Sequence, residues 1–243
     1  MRLRLCATLM IGLLCSGAAA SDWGYDGPLG PDHWSALSSD YAICAHGTFQ
    51  SPINIVPDIT ADMAEIVFDY GSLPVEVTNN GHTLVTKGGP HDRVRIEDTD
   101  WRLLQFHFHT PGEHLIAGQD FAMELHFVHQ AADGRFAVIG VMIAEGPANP
   151  AIAALWDAAP YDHGVTNGGP AVIALRDLLP VDRRYMRFVG SLTTPPCTEG
   201  IAWHMMMTPI TASADQIAAF RSVFPNETRP IQPRNGRLVV AEH

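Results

Sequence analysis

Apolar and polar side chains alternate along the middle of the chain, which is the pattern of β-strands with one buried face. Three long runs rich in aromatic and β-branched residues predict strands: Trp101–His109, Phe121–His129 and Phe136–Ala144. Three shorter runs extend the pattern: Leu73–Thr78, His82–Thr86 and Ile201–Thr208. The dipeptides Asn80-Gly81 and Asp133-Gly134 separate neighbouring runs, so we expect tight turns at both places.

Helix signals are few. Asn149 and Pro150 precede Ala151–Ala158 and supply an N-cap and a proline at the first helical position. Ser213 and Gln216 form a capping box before Ile217–Val223. Glycine and proline (21 and 18 residues) are spread throughout, which suits strands joined by tight turns. We predict a single, mostly β domain with a large, mostly antiparallel, twisted central sheet and a few short peripheral helices.

Composition excludes several classes of protein. Of 243 residues, 47% are hydrophobic and 17% charged, so the chain is neither disordered nor fibrous. The formal net charge of −11 argues against binding to nucleic acid or to anionic lipid. No segment after the N-terminus reaches the apolar length of a transmembrane helix, so we predict no membrane span.

The N-terminus has the layout of a secretory signal peptide. Arg2 and Arg4 precede an apolar run, and small residues end it before Ser21. We therefore predict a signal at 1–20, a mature domain at 21–243 and a periplasmic or secreted location. Removing the two arginines moves the formal charge from −11 to −13. A lipoprotein signal with Cys15 as the lipidated residue is the rival interpretation, disfavoured by the large side chain of Leu14 before it.

Two cysteines remain after signal cleavage, Cys44 and Cys197. An exported protein with two cysteines favours one disulfide between them, and two buried thiols are the alternative. The bond would close a loop of about 150 residues, worth about 4–5 kcal/mol in the chain-entropy account.

Three histidines lie on predicted strands in a pattern that suits a metal site. Because strand side chains alternate, Gln105, His107 and His109 share one face, as do Glu124 and His126. Neighbouring antiparallel strands could therefore present three imidazoles to one point. Three histidines with no fourth protein ligand are typical of catalytic zinc, which keeps an open position. A strand histidine alone is more often a core or surface residue, and a His-x-His pair alone is a modest signal.

Residues that can hydrogen-bond to these histidines lie next to them in the sequence. Gln105 and Glu124 each lie two residues before a predicted ligand, where they can accept the outer N–H of an imidazole. The remaining histidines, among them His163 and His204, receive no functional role from the sequence.

Further segments resemble one known family. Gly190–Gly200 reads Gly-Ser-Leu-Thr-Thr-Pro-Pro-Cys-Thr-Glu-Gly, and Gln50–Ile55 reads Gln-Ser-Pro-Ile-Asn-Ile. Other matching motifs follow in the family's order: Trp23–Tyr25, His33-Trp34, Asn79–His82, Gly112–His114 and Arg229–Pro233. Together with the histidine strands, these motifs cover nearly the whole mature chain. The sequence resembles the α-class carbonic anhydrases, in particular their exported bacterial branch.

The resemblance implies one Zn²⁺ per chain, held by His107, His109 and His126, and reversible hydration of CO2 to bicarbonate by zinc-bound hydroxide. It implies that Thr193 accepts a hydrogen bond from that hydroxide and donates one to Glu113. It also implies an apolar substrate wall with the main-chain N–H of Thr193 at the developing charge. The residues that match the substrate site are Val128, Val138, Leu192, Thr193, Thr194, Ile201 and Trp203.

A proton must leave such a site, and a histidine that titrates near neutral pH is suited to carry it. His82 matches the family's proton shuttle, with Tyr25 and Asn80 along the water path. Val85 departs from the polar residue that many relatives carry in the water-filled half of the cavity, which puts the efficiency of proton transfer in question.

Other functions compete with this interpretation. A non-catalytic relative acting as a binding module is the main alternative, although such relatives typically lose a ligand histidine. A dedicated esterase or protease is disfavoured because no G-x-S-x-G or H-E-x-x-H motif is present, whereas weak esterase side activity is expected of zinc hydroxide. A zinc store would need a His-rich tract. The resemblance further implies inhibition by sulfonamides or anions, and it leaves a homodimer open.

Overall fold

The computed structural model describes residues 22–243, so the predicted signal peptide lies outside the described residues. The strands are β1 Asn54–Ile55, β2 Ile59–Ala61, β3 Val67–Asp69, β4 Ser72–Asn79, β5 Leu84–Lys87, β6 Arg93–Ile96, β7 Thr99–His109, β8 Leu115–Ile116, β9 Met123–Ala131, β10 Phe136–Glu145, β11 Thr166–Ala174, β12 Tyr185–Ser191, β13 Glu199–Met206, β14 Ile210–Ala212 and β15 Val240–Glu242. The α-helices are α1 Trp34–Leu37, α2 Ile43–His46, α3 Pro150–Ala158 and α4 Ala214–Val223. Short 3₁₀ turns lie at Gly27–Leu29, Pro31–His33, Ser39–Tyr41 and Leu175–Leu178.

Thirteen of the described strands form one twisted sheet, which confirms the predicted fold class. Its main path runs β11-β4-β5-β7-β9-β10-β13-β12-β15-β2. The pairs are mostly antiparallel, with parallel pairing where β10 meets β13 and β14 and where β15 meets β2. The strands β7, β9 and β10 therefore occupy the middle of the sheet, and each has a neighbour on both sides.

The start of the strand predicted at His82–Thr86 was wrong. The run His82–Thr86 was expected to be extended throughout, but strand β5 begins only at Leu84. The side chain of Asn80 accepts hydrogen bonds from the main-chain N–H groups of His82 (2.9 Å) and Thr83 (2.8 Å). Asparagine competes with the sheet ladder in this way and holds the first residues in a turn. His82 therefore lies at the tip between β4 and β5, not within a strand.

The two predicted helices form where their caps indicate. Asn149 accepts from the N–H groups of Ala151 and Ile152, and α3 begins at Pro150. Ser213 and Gln216 make the reciprocal hydrogen bonds of a capping box, and α4 begins at Ala214. Both helices cover the face of the sheet that carries Phe106, Phe108 and Phe127, where the larger hydrophobic core lies. None of the helices in the described range is long and apolar enough to cross a membrane.

A disulfide joins Cys44 to Cys197, as the cysteine count predicted. It ties the N-terminal segment to the loop after β12. Arg229 supports the same junction: its guanidinium donates to the main-chain oxygens of Cys44 (2.6 Å) and Ser51 (2.8 Å). The amide of Gln50 donates to the main-chain oxygen of Cys197 at 3.1 Å. The covalent bond and these buried hydrogen bonds fix the loop that contains Thr193 and Thr194.

Candidate active site

The three predicted ligand histidines meet on the face of the sheet opposite the larger core. In the register of β7 and β9, His107 lies directly across from His126, and His109 lies across from Glu124. One nitrogen from each of the three imidazoles lies within 4.8 Å of the others. The alternation of strand side chains produces this convergence, because the three residues occupy same-face positions on adjacent strands.

The other nitrogen of each imidazole is held by an acceptor. Nδ1 of His107 donates to Oε1 of Gln105 at 2.8 Å, and Nε2 of His126 donates to Oε1 of Glu124 at 2.7 Å. Nδ1 of His109 donates to the main-chain oxygen of Glu227 at 2.9 Å. These bonds set the tautomers, so the nitrogens with free lone pairs are Nε2 of His107, Nε2 of His109 and Nδ1 of His126.

The protonation of this cluster also suits a metal cation. Burial lowers the pKa of His107 well below its usual value, and the neighbouring imidazoles add to that effect. Burial likewise lowers the pKa of His109 to about 4 and lowers the pKa of His126. All three are therefore neutral at neutral pH, which is the form that binds zinc. Nε2 of His109 is buried without a hydrogen-bond partner, as expected for an atom reserved for a metal.

The carboxylate of Glu124 accepts hydrogen bonds from the cluster and from the loop beside it. Its Oε1 accepts from Nε2 of His126 and from Nδ1 of His114, the latter at 2.8 Å. Its Oε2 accepts from the main-chain N–H groups of Glu113 and His114, both at 2.8 Å. Burial raises the pKa of Glu124, but the charges and hydrogen bonds of His114 and His126 outweigh it and hold the pKa well below its usual range. His114, Glu124 and His126 also approach within metal-binding distance, and these hydrogen bonds account for that proximity.

Glu113 and Thr193 are buried together beside the imidazoles. Oε1 of Glu113 accepts from the N–H of Arg229 at 3.2 Å, and Oε2 lies 3.4 Å from Nε2 of His109. Burial raises the pKa of Glu113 to about 7, while the Thr193 hydroxyl is among the groups that lower it. The side chain of Thr193 thus contacts a buried carboxylate that also lies close to His109.

The predicted substrate residues form a compact apolar wall next to the histidines. Val138 of β10 lies across from Val128 of β9 and from Trp203 of β13. Ile201 is buried in the same cluster, and Leu192 packs against it. These side chains come from three adjacent strands and one loop, so the wall is part of the rigid sheet.

The opposite side of the site opens into a cavity of about 120 Å³ with a mixed lining. It contains the predicted proton-path residues and one residue of the predicted substrate site: Tyr25, Asn80, His82 and Thr194. Val85 also lines it, opposite His107 in the register of β5 and β7. The ring of His82 stacks on Trp23 with centroids 3.7 Å apart and planes 6° apart.

Comparison with known proteins agrees with this geometry. The family model of eukaryotic-type carbonic anhydrases matches residues 29–243. The carbonic anhydrase of Pectobacterium carotovorum is 41% identical, with 99% of this chain and 100% of that protein covered. The chain belongs to the α-carbonic anhydrase family. The family is zinc-dependent, and membership supports CO2 hydration as the activity of this enzyme.

Solved structures of bacterial carbonic anhydrases have the same fold. The α-carbonic anhydrase of Thermovibrio ammonificans, in complex with sulfanilamide, has a TM-score of 0.88 and 38% identity, covering 91% of this chain and 100% of that one. The α-carbonic anhydrase of Photobacterium profundum has a TM-score of 0.85 and 39% identity, covering 90% and 100% of the two chains.

Three contributors to the carbonic anhydrase site were not predicted from the sequence. The acceptor for His109 is the main-chain oxygen of Glu227, and every residue type offers such an oxygen. Trp23 was placed in a motif but not against His82. The hydrogen bond from His114 to Glu124 was not predicted either. An alternating strand pattern identifies Glu124, but only the folded loop 110–114 brings His114 to it.

Proposed function

We propose that this enzyme hydrates CO2 reversibly with one zinc ion held by His107, His109 and His126 and with His82 as the proton carrier. One observation carries the proposal: three neutral imidazoles, two of them fully buried, direct free lone pairs to one point while acceptors hold their other nitrogens. This donor set fits zinc, since catalytic zinc sites commonly use three histidines and leave a position open.

Zinc in such a site lowers the pKa of a coordinated water to about 7, an effect for which carbonic anhydrases are the standard example, and so supplies a nucleophile at neutral pH. The chain's own residues do the positioning. Gln105, Glu124 and the main-chain oxygen of Glu227 fix the orientation of the three ligands, so the site is formed before the metal arrives.

Thr193 and Glu113 provide orientation at the open position. A threonine hydroxyl that donates to a carboxylate has only its lone pairs left for the reacting side. Glu113 would hold the Thr193 hydroxyl in this sense, and the main-chain N–H of Thr193 would stabilise negative charge that develops on a substrate oxygen. Burial of both residues excludes water that would compete for these hydrogen bonds.

The apolar wall suits a small, uncharged substrate. CO2 carries no net charge and needs no ion pair, so Val128, Val138, Leu192, Ile201 and Trp203 would bind it by contact alone. Thr194 would complete the substrate site at its border with the polar cavity. Bicarbonate, the charged product, is favoured to leave such a surface.

His82 would move the proton from the site to buffer. It lines the same cavity as His107 and His109, together with Tyr25 and Asn80. The ring of His82 is held in place by stacking on Trp23, which lines the same cavity. An imidazole exchanges protons readily near neutral pH, which suits it to this step.

The place of action would be outside the cytoplasm. The basic, apolar and small-residue succession of Met1–Ala20 supports a cleaved secretory signal that precedes a domain at 21–243. The Cys44–Cys197 disulfide agrees with an oxidising compartment. We propose a periplasmic or secreted enzyme. Since a relative of known structure binds sulfanilamide, sulfonamides are proposed as inhibitors here as well.

Stopped-flow CO2 hydration by the oxidised protein from Ser21 onward tests the proposal. The enzyme should lose activity when a chelator removes its metal and regain it with one equivalent of Zn²⁺ per chain. His109→Ala should neither bind zinc tightly nor hydrate CO2. Stoichiometric zinc binding by the native protein without hydration above the buffer rate would favour the alternative, a non-catalytic carbonic-anhydrase-like binding module.

A further inference from the structure

A second histidine lies at the mouth of the active site beside His82. His163 and His82 both line a cavity of about 330 Å³ that has Trp23 and Tyr25 in its wall. The same three residues, Trp23, Tyr25 and His82, also line the inner cavity that contains His107 and His109. The two cavities therefore adjoin, and His163 occurs only on the outer one.

Four hydrogen bonds hold the segment 160–165 against the strand end that precedes His82. The main-chain N–H of Asn79 donates to Val165 at 3.1 Å, and its main-chain oxygen accepts from Gly164 at 2.8 Å. Its side-chain amide donates to the main-chain oxygens of Tyr161 at 3.0 Å and Pro160 at 3.3 Å. These main-chain and side-chain hydrogen bonds of Asn79 thus set the position of His163 relative to the His82 turn.

The imidazole of His163 packs directly on Gly81, the residue before His82. A Cβ atom at position 81 would lie 2.7 Å from Nε2 of His163 and 2.8 and 2.9 Å from the neighbouring ring carbons Cδ2 and Cε1. Gly81 also has a φ of +88°, which disfavours any other residue. Glycine at this position therefore lets the His163 ring reach the main chain beside the proposed proton carrier.

The two histidines interact electrostatically. Burial lowers the pKa of His82, the charge of Asp22 raises it, and the charge of His163 lowers it. Asp26, Tyr25 and Glu227 are the other titratable groups that line the shared cavity. A positive charge on His163 therefore disfavours a proton on His82.

The two rings differ in their access to solvent. His82 is partly covered by the stacked ring of Trp23, whereas His163 is exposed. The imidazole of His163 is therefore more accessible to buffer molecules than that of His82.

We propose that His163 is a second proton carrier that takes the proton from His82 and gives it to buffer. An N–H bond breaks on the His82 imidazolium and one forms on the neutral imidazole of His163, directly or through water, and buffer then removes that proton. No further reactant is needed. The proposal rests on the proposed role of His82 and extends it outward by one step.

The test compares CO2 hydration in weak and strong buffer for four variants: His163→Gln, His82→Ala, the double variant and His91→Gln. His91 is an exposed histidine that lines neither cavity and serves as the matched control. We expect His163→Gln to lower kcat in weak buffer by about threefold and to leave kcat/KM unchanged, because proton release follows CO2 conversion. Strong buffer or added imidazole should restore kcat, and His91→Gln should behave as wild type.

The double variant and an NMR titration complete the test. If the two histidines act in series, His163→Gln should cause no further loss when His82 is already alanine. The pKa of His82 should rise in His163→Gln, because one repelling charge is gone. Normal weak-buffer kcat in His163→Gln together with a depressed kcat in His82→Ala would overturn the second carrier and leave the role of His82 intact. Normal kcat in His82→Ala would overturn the proposed role of His82 itself.

Discussion

The carboxylate of Glu124 lies 2.7 Å from Nε2 of His126, two residues further along the same strand. Three more donors, one from Glu113 and two from His114, bind the same carboxylate. An ionised carboxylate accepts all four bonds, whereas a neutral amide of the same shape has one acceptor oxygen and turns an N–H₂ group toward donors. The negative charge of Glu124 therefore helps to hold residues 113–114 against β9.

Glu124→Gln should weaken zinc binding by about 10- to 100-fold, because one amide oxygen cannot accept all four bonds that orient His126, His114 and the loop beside them. It should also lower the free energy of unfolding by about 2–3 kcal/mol through unpaired buried donors. Competition with a chelating dye and guanidinium denaturation measure the two effects. Gln105→Ala is the control, since it removes one acceptor from His107 and should cost less in both assays. Equal effects of the two substitutions would contradict the account.

Val138→Phe should lower kcat/KM for CO2 by more than tenfold and leave zinc affinity unchanged. Val138 lies between Val128 and Trp203 in the sheet, so a larger ring there fills the apolar wall without touching the ligand bonds. Stopped-flow kinetics and zinc titration separate substrate access from metal binding. Ile143→Val, a buried change on the same strand outside the wall, serves as the control for general repacking.

His204 makes the protein sensitive to acid. Burial lowers its pKa to about 4, with a smaller contribution from Arg187. Below a pH of about 6.5 the unfolded chain binds a proton at this residue that the folded chain does not, so stability falls as pH falls toward 4. His204→Phe should remove up to about 1.4 kcal/mol of this loss per pH unit. Denaturation at a series of pH values should give parallel stability curves for the two proteins above a pH of about 6.5 and diverging curves between about 6.5 and 4.

Cys44→Ser with Cys197→Ser should lower the free energy of unfolding by about 4–5 kcal/mol, since the bond joins residues 153 positions apart. Urea denaturation of the zinc-loaded proteins measures the change. Reduction of the wild-type protein should reproduce it. A reduced wild-type protein as stable as the oxidised one would show that the buried bonds of Arg229 and Gln50 hold the loop without the disulfide.

Same-face relationships within a strand could be predicted from the sequence. The pairing of Gln105 with His107 and of Glu124 with His126 follows from the two-residue repeat, and the structure brings each pair into hydrogen-bond contact. Helix starts were also predictable, because Asn149 and Ser213 act on main-chain groups only two or three residues away. In both cases the cause is local.

Relationships that depend on distant chain segments could not be predicted in this way. The parallel pairing of β10 with β13 joins strands about 60 residues apart, and no local pattern encodes it. Strand β11 includes Gly168, Gly169 and Pro170, which favour a loop, yet it forms an edge strand with an irregular register at those residues. The main-chain oxygen of Glu227 has no side-chain signature at all.

The three imidazoles lie on β7 and β9, interior strands of a sheet that is paired on both of their sides. Such strands have no free edge from which to fray, so their amide hydrogens exchange with solvent only in the rare opening of the whole sheet. The three imidazoles consequently belong to the most slowly exchanging unit of the described sheet, and opening of the outer strands β2, β11 and β15 leaves them together.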